Sequence, residues 1–349
     1  MEAAALSPIV NNPAKRERER ELRTELADVG VEWRSLKPVL PDWIDSAFDS
    51  RSGLVELKTF LSRNAGFQLT PDGHLTNNSL PAACFKTNVA TTVDQVTAAR
   101  SMATACARLV AKATKPPYTC LPNEADALRH KIMKHGDKSW IDLPMLLSAC
   151  WAHGIPVLYV PSLPVQGRKM EGMVTFVSGR PVIILTKKVH HPDWLLFVLA
   201  HEIGHLAKRH LPEDEGQAIV DDTVEIKAGD DRDQQEEEAN RFATHLLAPG
   251  GKEVTIGKRL PVAAEFAAVA QKYGQENGMA PGYVILNAVH NSSINGKKPY
   301  ALGQAALKLI SSDEDKSATA FCKEALRDNI DEYALRDDSV EFLEKLHLL

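Results

Sequence analysis

The stretch "LAHEIGHLAKRH", residues 199–210, places His201, Glu202, His205 and His210 within ten positions of a strongly apolar, helical context. Side chains at i and i+4 of a helix project roughly 40° apart, so His201 and His205 can share one metal ion. Glu202 sits beside them, where a carboxylate can take a proton from an activated water, the arrangement of a metal-dependent hydrolase with Glu202 as catalytic base. The preceding residues, "WLLFVLA", are almost wholly apolar and imply a buried helix, not one that shows two histidines to solvent.

Such a pair needs a third protein ligand. His210 lies nine residues after His201, roughly 180° around a continuous helix, and is expected to point away. The arrangement H-E-x-x-H-x-x-G-x-x-H is excluded, because Lys208 stands at its glycine position and Leu211 at its third histidine. The established alternative is a carboxylate from another element. In "QQEEEANRFATHLLAP", residues 234–249, the apolar face of Ala239, Phe242, Ala243, Leu246 and Leu247 is centred roughly 50° from Glu236, 150° from Glu237 and 110° from Glu238. Glu236 is the one that turns inward. Glu237 and Glu238 read as solvated acids near a helix start, and His245, about 180° from Glu236, as a surface histidine. The expected metal ligands are therefore His201, His205 and Glu236. One zinc ion suits them, and manganese or cobalt is compatible with the same donors.

Several further groups are candidates for support. Asn240 lies about 40° from Glu236 and can orient the motif helix by a hydrogen bond. Asp221, Asp222 and Glu225 offer a carboxylate to back a histidine. His190, His191 and Tyr283 are candidates for a second electrophilic group. Trp194 and Phe197 read as core, and an extended substrate is expected to pair with the strand around Val182 to Leu185 if that strand has a free edge.

The elements that must position these residues follow from the surrounding pattern. "DLPMLLSACWAHG" reads as one helix with Asp142 as cap, Pro144 in the first turn and Gly154 as stop. "IPVLYVP" reads as a short strand, and "MVTFVSGRPVIIL" as two strands around Ser178-Gly179-Arg180. Pro192-Asp193 opens the motif helix, and an acidic, loop-like interval from Pro212 to Asp233 leads to the glutamate helix, which Pro249 and Gly250 stop. Upstream, Ala14 to Gly30 has acids and bases three and four apart, as on a solvated helix; Leu54–Asn64 and the Ala-rich Thr92–Thr114 are helical, and "KPPY" ends the latter. Downstream, four amphipathic helices are expected around "AAEFAAVAQKYG", "PGYVILNAV", "GQAALKLI" and "ATAFCKEALRDNIDEYAL". The expected fold is α+β and mostly helical: a small antiparallel sheet packed on the motif and glutamate helices, with helical regions at both ends. Residues 1–117 form a helical N-terminal region, 118–250 the metal-site core and 251–349 a helical C-terminal region.

The strand "RPVIIL", then "FVLAHEIGHLAKRH" and "EEEANRFATHLLAP", resemble the ImmA/IrrE family of zinc-dependent metallopeptidases over about 130 residues, roughly 120 to 250. In that family the third ligand is a glutamate three residues before the "A-N" pair, which falls on Glu236. The resemblance implies intracellular hydrolysis of a peptide bond in a protein partner, often a helix-turn-helix transcriptional repressor, in stress responses or mobile-element control. The segment "FAAVAQKYGQENGMAPGYVILNAVHN" is similar to the helical tail that follows this core in some members. Many members also carry a DNA-binding helix-turn-helix, and residues 1–115 contain no convincing one.

Bulk properties narrow the alternatives. A formal charge of -5 and an N-terminal arginine cluster (Arg16, Arg18, Arg20, Arg23) interleaved with acids argue against nucleic acid as a partner. The five cysteines are odd in number and never form C-x-x-C, so they read as reduced, mostly packed thiols. No stretch has signal-peptide or membrane-spanning character, so no membrane partner is expected and the expected location is the cytoplasm. Two competing classes are a metal-stabilised binding or sensor module that recognises its partner without cutting, and a DNA-linked regulator. Retention of Glu202 weighs against the first, and the lack of a basic recognition helix against the second.

Overall fold

The computed structural model describes residues 12–78, 84–85, 93–136, 138–165, 171–189, 191–211, 218–221, 231–257, 259–294, 296–310 and 317–349, with backbone alone at 84–85, 93–96, 220–221 and 231–233. In chain order the main elements are α1 (Pro13–Asp28), α2 (Arg51–Ala65), β1 (Cys84–Phe85), α3 (Val93–Ala113), α4 (Ala125–His135), α5 (Leu143–Ala152), β2 (Val157–Tyr159), β3 (Gly172–Val177) and β4 (Arg180–Leu185). They continue as α6 (Pro192–Ala207), β5 (Ala218–Asp221), α7 (Asp231–Leu247), α8 (Ala263–Asn277), α9 (Pro281–His290), α10 (Tyr300–Ile310), α11 (Ala318–Asn329) and α12 (Asp337–Lys345). The fold is mostly helical α+β, as expected.

The sheet has the order β1-β5-β3-β4-β2. Its centre is antiparallel, β3 pairing with β4 on one side and β5 on the other, while both outer pairs, β1 with β5 and β2 with β4, are parallel. The expected antiparallel sheet is thus present as the centre of a mixed one, with the parallel outer pairs added by tertiary contacts. The β3–β4 hairpin turns on Ser178 (φ 53°) and Gly179 (φ 73°), the left-handed pair that matches the twist of adjoining strands. Strand β5 is an element absent from the sequence reading, which placed Ala218–Asp221 in a loop. Four residues are too few to show alternation, and this segment is defined by pairing with Gly172–Thr175.

Both faces of the sheet are covered. Met173, Val177, Val182, Ile184 and Leu158 belong to one core, and Val174, Phe176, Ile183, Leu185 and Val157 to the other, the strict alternation of a pleated sheet. Helix α3 packs on the first face; its alanines Ala98, Ala103 and Ala107 are fully buried and allow close approach. The motif helix α6 packs on the second. Two-sided burial explains why β3 and β4 read as nearly unbroken apolar runs.

The first core joins parts of the chain far apart in sequence. Leu22, Leu26, Leu57 and Phe60 from the N-terminal region pack with Leu326, Phe342, Leu343 and Leu349 from the C-terminal region. Phe60 meets Phe342 edge-on at 5.8 Å, and the buried Ser339 hydroxyl donates to Asn64 Oδ1 at 2.7 Å. These contacts, and those of α3 on the sheet, cross the sequence divisions drawn at 117 and 250. Helix α11 also ends at Asn329, earlier than the pattern suggests. Ile330 is extended and bridges to Thr114, with Asp331 N–H donating to Ala113 O at 2.7 Å, so this tertiary pairing interrupts the helical run. Likewise α1 is not solvated all round: it buries Leu22 and Leu26, and Glu25 meets the buried Lys58 at 2.8 Å.

Other sequence expectations are met locally. Asp142 caps α5, accepting from Met145 N–H at 3.0 Å. Cys106, Cys150 and Cys322 are buried free thiols, while Cys120 is exposed. Burial pushes the first of them up to about 12. Among the described residues, no helix is long and apolar enough to cross a membrane.

Candidate metal centre

Helix α6 begins at a cap that the sequence offered as a catalytic group. His191 Nδ1 accepts from Asp193 N–H at 3.2 Å, which fixes the imidazole at the helix start. Tyr283 is held elsewhere, buried on α9, stacked on Phe197 with ring centroids 6.1 Å apart and accepting from Asn287 Nδ2 at 3.3 Å. His190 lies outside the described residues. Trp194 and Phe197 are partly buried against the second core.

Helix α7 lies along α6, and its apolar members Ala239, Phe242, Ala243, Leu246 and Leu247 are all buried, as the periodicity predicts. Gly204, inside the motif, makes the close crossing possible: a Cβ there would lie 2.9 Å from both the Cα and the carbonyl oxygen of Ala239. Glu236 stands one turn ahead of Ala239 and so reaches the two histidines.

The resulting geometry suits one small ion. His201 Nε2 and His205 Nε2 are 3.1 Å apart, and each lies 3.5 Å from a different oxygen of Glu236. Tetrahedral zinc with bonds of about 2.0–2.1 Å would hold its donors about 3.3–3.4 Å apart. The three residues form a buried cluster with one potential ligand atom each, all within 4.8 Å of one another. His201, Glu202 and His205 are fully buried and Glu236 is 9% exposed. Burying two imidazoles and two carboxylates in such proximity is unfavourable without a compensating cation, so the donor set fits the divalent metal expected of it.

The protonation pattern agrees with ligation through Nε2. His201 Nδ1 is 3.0 Å from Asn240 Oδ1; an amide oxygen only accepts, so the proton is on Nδ1 and the Nε2 lone pair faces the cluster. Asn240 thus occupies the supporting position foreseen for it. Glu202 lies against β3, where Gly172 presents bare backbone to its carboxylate.

Three sequence readings fail here. His210 does not point away, because α6 stops at Ala207: Arg209 is left-handed (φ 56°), and His210 N–H closes back on His205 O at 3.0 Å. With Arg209 N–H bonded to Leu206 O at 3.1 Å, this is a Schellman closure, which folds His210 onto the His205 ring. The usual signal for it, glycine or asparagine at the left-handed position, is missing from the sequence. Glu238, read as a solvated acid, bonds to His210 Nε2 at 3.1 Å. Its pKa is lowered by the hydrogen bonds from Gln234 and His210. The side chains of Asp221, Asp222 and Glu225 lie outside the description. The substrate-strand expectation also fails: β4 is interior, paired on both sides and buried.

Residues 150–255 match the family model Peptidase_M78, the IrrE N-terminal-like domain. The similarity covers this segment, from β2 through the end of α7. The match contains all four residues of the candidate centre and leaves the flanking regions uncovered. Comparison with curated proteins and with solved structures returned no match.

Proposed function

We propose that the protein is an intracellular, zinc-dependent metalloendopeptidase that hydrolyses a peptide bond in a protein partner, with a helix-turn-helix transcriptional repressor of a stress response as the partner class. The observation that carries this reading is the clustering of His201, His205 and Glu236 at tetrahedral donor spacings, next to Glu202, inside a segment that matches a peptidase family.

A bound zinc ion supplies Lewis acidity, which lowers the pKa of water and polarises a peptide carbonyl. His201 and His205 hold the ion through Nε2 and Glu236 through a carboxylate oxygen. Glu202 accepts the proton of the attacking water and later delivers it to the leaving amine. Asn240 holds the ring of His201 in the ligating tautomer. The regions outside 150–255 are then available to select the substrate.

The competing reading is a metal-stabilised module that binds without cutting; the cluster found among the described residues supplies three ligands, whereas structural zinc sites usually take four from protein, which weighs against it. Metal content by mass spectrometry, measured on the wild type and on Glu236→Ala, Glu237→Ala and Glu238→Ala, tests the ligand set. Near-stoichiometric zinc is expected in the wild type and a large loss in Glu236→Ala; equal metal in these two would reject the set. Hydrolysis of a candidate repressor by the wild type, absent in zinc-loaded Glu202→Gln, separates peptidase from binder.

A further inference from the structure

The Schellman closure at the end of α6 does more than stop a helix. It places the His210 ring, 5% exposed, with Nδ1 at 2.9 Å from His205 Nδ1, while His210 Nε2 lies 3.1 Å from Glu238 Oε2. Gln234 Nε2 in turn donates to Glu238 Oε1 at 3.0 Å, which anchors that carboxylate from the preceding turn of α7. The result is a chain of hydrogen bonds from the surface to a buried imidazole, built from both helices.

Only one arrangement of protons satisfies this chain with both rings neutral. A carboxylate only accepts, so His210 Nε2 carries a proton and donates to Glu238. The Nδ1 of His210 is then a lone pair and can only accept, so the proton between the rings belongs to His205 Nδ1. That leaves the lone pair of His205 on Nε2, the atom that faces His201 and Glu236. The opposite tautomer of His205 would set two lone pairs against each other at 2.9 Å.

We propose that His210 and Glu238 are a positioning pair that locks His205 in its Nδ1–H tautomer and ring orientation, thereby presenting Nε2 to a divalent metal. This rests on the reading of His201, His205 and Glu236 as the ligand set. The pair makes the two histidines unequal: His201 leans on a neutral amide, His205 on a carboxylate acting through a second imidazole. Glu238 also lines a surface cleft of about 320 Å3 with Lys208, Arg241 and His245, so its side chain can be changed without opening the core.

The test is zinc affinity of the full-length protein, measured by competition with a chromophoric chelator and read beside imidazole 15N NMR. Outer-shell partners typically contribute 10–100-fold to affinity. His210→Phe and Glu238→Ala are expected to raise Kd by that factor and to lose the Nδ1–H signature of metal-loaded His205. Glu238→Gln, which keeps an acceptor oxygen, should recover part of both. Glu237→Ala, changed at an exposed neighbour, should bind as the wild type does. Wild-type affinity and an unchanged His205 signature in Glu238→Ala would overturn the pair even if His210→Phe fails to fold. If Glu236→Ala still loses zinc in that experiment, the ligand set stands and only the pair falls; if Glu236→Ala binds zinc like the wild type, the metal reading falls and takes the pair with it.

Discussion

Gly172, the first residue of β3, lies directly against the carboxylate of Glu202: a Cβ at position 172 would be 1.8 Å from Oε1 and 2.7 Å from the carboxyl carbon. The backbone there needs no left-handed conformation, so the glycine is required by space alone. A strand thirty residues upstream therefore shapes the seat of the proposed general base, and its register with β4 and β5, Gly172 opposite Leu185 and Asp221, sets where that seat falls.

Gly172→Ala should displace the Glu202 carboxylate while leaving the metal ligands in place. A general base contributes about 10²–10⁴-fold to rate, so hydrolysis should fall by about 100-fold or more while zinc affinity stays within a few-fold of wild type. Kinetics and chelator competition on the same sample check this. Combining Gly172→Ala with Glu202→Gln should add little further loss, because both act on one group. Full activity in Gly172→Ala would show that Glu202 has room to move without consequence.

Gly204→Ala should act on the ligand set instead. Its methyl group would meet Ala239 backbone, which cannot swing aside, so α7 must retreat from α6 and carry Glu236 with it. Overpacking of this kind costs about 1–3 kcal/mol. The expected outcome is weaker zinc binding with lower stability to urea, and a smaller stabilisation on adding zinc than the wild type shows. Unchanged zinc affinity would mean that the helix crossing tolerates a wider spacing.

Asp193 predicts a pH dependence of stability. Its carboxyl is pushed up to about 7 from an ordinary value of 3.8, first by burial and then by Asp142, although the N–H groups of Gly282 and Tyr283 at the start of α9 oppose the shift. A folded-state pKa above the unfolded value means that the native state binds the extra proton. Stability from this group is therefore full below about pH 4, declines as pH rises towards 7 and is constant above. The total is at most about 4 kcal/mol, taking 1.36 kcal/mol per pKa unit. The unfolding free energy of the wild type minus that of Asp193→Asn should therefore fall as pH rises across that window, because only the wild type must ionise a buried carboxyl. A difference that is flat from pH 4 to 8 would assign the carboxyl an ordinary pKa.

Glu25 predicts the reverse slope. Burial raises its pKa, but hydrogen bonds from Lys58, Leu75 N–H and His74 outweigh this and lower it overall. Its contribution is present at neutral pH and lost as pH falls through the depressed folded value. Glu25→Ala leaves the Lys58 ammonium, 3% exposed, with Glu21 and the Gly73 carbonyl as its other partners. Removing one member of a buried pair costs about 3–5 kcal/mol, and the remaining partners place the expected loss at the lower end. Urea unfolding at pH 7 measures it, and a loss below about 1 kcal/mol would count the pair as a surface one.

Much of the site was legible because helical periodicity is a local rule. The i and i+4 spacing puts His201 beside His205, and the apolar face of α7 singles out Glu236 from Glu237 and Glu238, without knowledge of any contact. The cap at Asp142, the helix start at Pro192, the hairpin at Ser178-Gly179 and the pattern of the helices are local for the same reason. What only the tertiary structure decided depends on where the chain stops obeying its period or on what it meets later. His210 joins the site because Arg209 adopts a left-handed conformation that nothing in its side chain announces, and Glu238 becomes its partner because two helices cross at Gly204. Ala218–Asp221 is a strand because Gly172–Thr175 is there to pair with it, and apolar residues of α1 and α2 share one core with those of α11 and α12 because the fold brings them together. Periodicity acts over a few residues, whereas sheet register and packing join segments up to some three hundred residues apart, such as Asn64 and Ser339, whose adjacency no local pattern records.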